Sequence, residues 1–116
     1  MSLTADRAAI ASALDAVADI TGYDDVSPML NVGDAWVRWG GYEATRVPLV
    51  FATTWRIFLV TGGTPADAMV FLDSHLEAIL DAIDSLVFLE GVQPVEFQLP
   101  NSGVLYGAEI TGQKES

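Results

Sequence analysis

At 116 residues the chain is the size of one domain. With 51% hydrophobic and 18% charged residues it can build a real core, which excludes a disordered segment. Sixteen acids against five bases give a net charge of -11, which argues against a phosphate-binding surface rich in Lys and Arg. No cysteine is present, which excludes disulfides, thiolate metal sites and cysteine nucleophiles. A mean hydropathy of +0.36 is high for a small acidic monomer and leaves apolar surface for a partner.

The chain opens on an alanine-rich stretch that predicts a helix. Thr4 is the expected cap, with Asp6 in the first turn. Ile10, Leu14 and Val17, with Ala13 beside them, form a narrow apolar face, and Gly22 is expected to close the helix. An N-terminal signal peptide is not expected, because Asp6, Asp15 and Asp19 interrupt any apolar run. Residues 23–34 carry turn chemistry in Asp24, Asp25, Ser27, Pro28, Asn31, Gly33 and Asp34. Val26 and the Met29–Leu30 pair can reach the core there or form a short strand. Ala35–Trp39 predicts a strand with Ala35, Val37 and Trp39 on one face and Trp36 and Arg38 on the other. Gly40–Pro48 reads as the loop to a long strand from about Leu49 to Thr61.

That strand has Leu49, Phe51, Thr53, Trp55, Ile57 and Leu59 on one face and Val50, Ala52, Thr54, Arg56, Phe58 and Val60 on the other. Neither face is cleanly polar, so both are expected to be covered. The cover of the Val50, Phe58 and Val60 side is expected to be a neighbouring chain or the first helix. A membrane span over residues 47–66 is disfavoured. Arg56 lies at its midpoint, where insertion costs about 2.5–3.5 kcal/mol, and Pro48, Gly62 and Gly63 interrupt it. Gly62-Gly63-Thr64-Pro65 ends the strand and starts a second helix, with Thr64 as cap and Pro65 as first helical residue. Met69, Leu72, Leu76, Ile79, Ile83 and Leu86 recur at helical spacing, and Asp73, Glu77, Asp81 and Asp84 form an acidic row opposite. Val95–Leu99, a turn at Pro100–Gly103 and Val104–Thr111 predict a hairpin, with fraying from about residue 112. The expectation is a single α+β domain over 1–116: two helices and a small mixed or antiparallel sheet of four to five strands, in the order α-β-β-α-β-β.

Chemistry is sparse. His75, the only histidine, has apolar Phe71 and Ile79 one turn away on either side, which suits a helix-flank residue better than a metal ligand or general base. Asp24, Asp25 and Asp34 lack the alternate spacing and terminal glutamate of a calcium loop. Gly40-Gly41 and Gly62-Gly63 do not fit a phosphate loop, and Ser12, Ser74, Ser85 and Ser102 have no base nearby. No catalytic, cofactor-binding or metal-binding set emerges, no cofactor is expected, and the expectation is a protein that is not an enzyme. Trp36 and Trp39 lie on opposite faces of one strand, so both cannot fill one core, and Trp36 is a candidate interface residue.

Taken in order, these pieces resemble a known family. They are the alanine-rich helix, Gly33-Asp34-Ala35-Trp36-Val37-Arg38, and the strand Phe51-Ala52-Thr53-Thr54-Trp55-Arg56-Ile57-Phe58-Leu59-Val60. They continue with the acidic helix around Leu76-Glu77-Ala78-Ile79-Leu80-Asp81-Ala82 and the closing Gly107-Ala108-Glu109-Ile110-Thr111-Gly112. The chain resembles the small tail terminator proteins of long, non-contractile-tailed bacteriophages, particularly those of actinobacterial hosts. The likeness covers nearly the whole chain and is one of length, order and texture. It implies a ring, hexameric in the family, that caps the tail tube, stops its growth and joins the head connector. The implied partners are further copies of the chain, the tail tube protein, the connector or stopper protein and passing DNA that is not specifically bound, with no membrane. The implied place is the virion's tail–neck junction, after assembly in the host cytoplasm. The expected subunit-interface residues are Arg38, Arg46, Arg56, Phe58 and Trp36. A head-side neck, stopper or tail-completion protein is the alternative. A small acidic protein-binding or ligand-binding domain is a second.

Overall fold

The computed structural model describes residues 2–26, 30–48, 50–101 and 103–115. Helix α1 (Leu3–Asp15) is followed by strands β1 (Thr21–Tyr23), β2 (Asp34–Ala44) and β3 (Phe51–Gly62), helix α2 (Pro65–Ile83), and strands β4 (Phe88–Gln98) and β5 (Val104–Glu115). The strands form one mixed sheet in the order β1-β2-β3-β5-β4, in which only the β1–β2 pair is parallel. The α+β class and five-stranded sheet are as expected, with one short strand added before the long hairpin.

Both helices lie on the same face of the sheet. Ile10 and Leu14 of α1 and Ile79 and Ile83 of α2 meet Ala35, Val37, Trp55, Ile57, Leu59 and Ile110 in a single core. The alternation along β3 is why this works: Thr53, Trp55, Ile57 and Leu59 all point into it, each about 1% exposed. α1 crosses β1 and β2, α2 crosses β3, and the helix layer stops short of β4. Among the described residues no helix is long and apolar enough to cross a membrane.

Several local expectations are corrected. Ser2 caps α1 by accepting from the Ala5 amide at 3.2 Å, so Thr4 lies inside the helix. The helix ends at Asp15, and Gly22 sits in β1, where a side chain would collide with the Ala11 carbonyl of α1. Ala11 is buried as well as Ile10 and Leu14, and Ala13 and Val17 pack partly buried against the core as expected. The Gly40-Gly41 pair is a β-bulge within β2, with Gly41 at φ 114, and pairing continues to Ala44. β4 begins at Phe88, well before Val95. β5 is paired to Glu115, so residues 112–115 form strand and do not fray. The Thr64 cap and Pro65 start of α2 are as expected, with the Asp67 amide donating to Thr64 Oγ1 at 3.1 Å. Met69, however, stands 68% exposed: the first turns of α2 are anchored by buried Ala68, and Met69 faces the open groove beside β4. Expectations that involved Ser27, Pro28, Met29, Leu49 and Ser102 lie outside the described residues.

Candidate functional site

With both helices on one side, the opposite face of the sheet carries no helix, but the chain buries part of it unaided. Val60 is 0% and Trp36 4% exposed, so the neighbouring-chain cover expected over Val60 is not needed there, and the open part is around Phe58 and Phe97. α1 packs on the far side from Phe58, so the first helix is not its cover. The centre of this open face is aromatic. Trp36 of β2, Phe58 of β3 and Phe97 of β4 converge with ring centroids 5.7 Å (Trp36–Phe58), 5.2 Å (Trp36–Phe97) and 6.4 Å (Phe58–Phe97) apart. Phe58 and Phe97 are half-buried, whereas Trp36 is 4% exposed under its neighbours. Trp36 therefore gives a partner little area of its own; it packs beneath Phe58, stacked at 21°, and Phe97, tilted at 54°. Trp39, on the helix side of the same strand, is the exposed tryptophan at 47%.

Charge surrounds the aromatic centre in an unusual way. Arg38 and Arg56 are directly paired across β2 and β3 and share the open face. Like charges placed opposite one another destabilise a sheet. Arg56 Nε lies 3.6 Å from Glu109 Oε1 on β5, a half-exposed pair that offsets only part of this. The Arg38 guanidinium sits 5.6 Å from the centre of the Phe58 ring, and among the described residues it pairs with no carboxylate. In a chain of net charge -11, the face presents two adjacent cations beside an apolar centre. Arg46 lies away from them, exposed in the β2–β3 connection, where Thr45 Oγ1 ties the loop by donating to the Val50 carbonyl at 2.8 Å.

On the helix side, between α2 and the strands it does not cover, an apolar groove of about 450 Å³ is lined by Pro65, Ala68, Met69 and Leu72 of α2 with Pro94 of β4 and Tyr106 of β5. Outward from it, the solvent side of α2 carries exposed Met69 and Val70 and then the acids Asp73, Glu77, Asp81 and Asp84. The acidic row was legible in the sequence; the exposure of Met69 was not.

The polar residues considered for chemistry have structural partners. The His75 ring stacks on Phe71 at 4.1 Å. Nδ1–H donates to the Phe71 carbonyl at 3.0 Å, and Nε2 lies 3.2 Å from Asp19 Oδ2. The backbone carbonyl of Phe71 first, then the Asp19 carboxylate, raise the imidazole pKa above 6.5. Asp34 Oδ2 accepts from the Asn31 amide at 3.0 Å and Asp25 Oδ1 from the Val26 amide at 2.7 Å, both turn-forming bonds. Among the described residues no cluster of three or more His, Asp or Glu side chains is placed to hold a metal ion. No protein-family model matches the chain, and no curated protein matches it in sequence.

Proposed function

We propose that the protein is a structural, non-catalytic subunit of a ring, of the kind that caps a phage tail tube and joins it to the head. The observation that carries this reading is the open sheet face, an aromatic centre flanked by Arg38 and Arg56. A sheet apolar on both sides needs two covers; the helices supply one, and on the other side Phe58 and Phe97 remain only partly covered. The second cover is then another protein surface, and a neighbouring subunit supplies it in a ring. The face carries a pocket of about 280 Å³ lined by Val26, Trp36, Arg38, Phe58, Val95 and Phe97, which suits an apolar side chain inserted by a partner protein. The tail tube protein and the head connector are the further partners in this reading. Its place is the virion, and DNA passes without a binding site.

Phe58→Asp tests it. Phe58 is half-exposed on this face, so the variant should fold, with circular dichroism like that of the parent. It should no longer form rings in native mass spectrometry or cap tails in an infected-cell extract. Unimpaired ring formation by the folded variant would remove the open face from the assembly.

A further inference from the structure

We infer that the open face is covered by the exposed side of α2 from the next copy, so that the ring closes through a head-to-tail contact between two unlike surfaces. The inference rests on the ring reading above and names the surface that the open face meets. A ring requires such unlike patches, because a self-complementary patch stops at a dimer.

Two complementary patterns carry it. The open face offers an apolar centre at Phe58 and Phe97, with Arg38 and Arg56 side by side next to it. The solvent side of α2 offers Met69 and Val70, 68% and 65% exposed, with Asp73 and Glu77 following at one-turn steps from Met69. α2 carries no Lys or Arg. The spacings agree as well. Phe58 and Arg56 are two residues apart on a strand, about 6.7 Å, and Met69 and Asp73 are one turn apart on a helix, about 5.4–6 Å. Seating Met69 on the aromatic centre with α2 running along β3 therefore brings Asp73 over Arg56 and the adjacent Arg38, with Glu77 one turn further along the strand. The contact gives Arg38 a carboxylate that the described residues of its own chain do not provide, and it places a helix over the partly exposed Phe58 and Phe97.

Charge reversal tests the contact because the surfaces are unlike. One variant carries Arg38→Glu and the other carries Asp73→Arg with Glu77→Arg; all three positions are exposed, and thermal midpoints check that both variants fold. Each alone should lose ring formation, with an assembly midpoint at least tenfold higher in concentration. An equimolar mixture should recover it, since acidic face then meets basic helix and basic face meets acidic helix around the ring. Parent rings that tolerate both reversals, or a mixture that stays dissociated while the parent assembles, would overturn the contact and leave the ring reading standing. A parent that remains monomeric at every concentration would overturn both.

Discussion

His75 shows how one side chain ties two elements together. From α2 it reaches Asp19 at 3.2 Å, in the turn between α1 and β1, where Asp19 holds a left-handed backbone at φ 67. Only the protonated ring donates to both the Phe71 carbonyl and the Asp19 carboxylate. Its pKa in the folded protein is raised, first by Phe71 and then by Asp19. The resulting stability is fully present below the unfolded value near 6.5 and is lost as pH rises through the higher folded value. His75→Gln should therefore lower the thermal midpoint at about pH 6, with the gap to the parent closing by about pH 8. A gap that stays constant or widens with pH would show that the charged ring contributes nothing.

At the scale of elements, α2 is two helices in function. Its C-terminal half is core: Ile79 and Ile83 are each 1% exposed. In its N-terminal half Ala68 is buried, but Met69 faces the groove beside β4: it has the same spacing in the apolar stripe and the opposite environment. Ile79→Ala should cost about 2–5 kcal/mol in urea or thermal unfolding. Met69→Ala should change monomer stability by no more than about 0.5 kcal/mol, while weakening assembly. Comparable losses at both positions would mean that the stripe is buried along its whole length. This pair also marks where sequence reading stops. Periodicity shows which residues share a side of a helix, as with Thr64, Pro65 and the stripe itself, but not how far the sheet beneath extends. Strand alternation likewise placed Arg38, Arg56, Phe58 and Trp36 on one face. It could not show that Phe97, from β4 three places away across β3 and β5, closes over Trp36. Gly40-Gly41 carried the composition of a loop because a bulge and a turn use glycine for the same backbone freedom. β1, three residues long, is too short to show any period.

At the scale of the whole molecule, charge sets the conditions for assembly. Six copies at -11 each would carry -66, and that repulsion acts over the full spacing between subunits. The bases are few, and Arg38, Arg46 and Arg56 all belong to the β2–β3 hairpin, while α2 has none. Net repulsion and local attraction therefore work over different distances. At about 0.01 M salt the screening length is about 30 Å, comparable to the chain's 46 × 28 × 21 Å dimensions, so whole subunits repel. At about 0.15 M it falls to about 8 Å, which removes most of that repulsion. A contact pair of arginine and carboxylate is much closer than this and is partly shielded from water, so it is screened less. Ring formation measured by sedimentation should therefore rise from low to physiological salt. It should decline only toward about 1 M, where the screening length of about 3 Å reaches the pairs themselves. In the proposed ring, the acids left outside the contacts would line surfaces that meet solvent or DNA, where they would repel phosphate and give DNA no place to stall. A ring yield that falls steadily from low to physiological salt would show that the arginine contacts, not the net charge, dominate assembly.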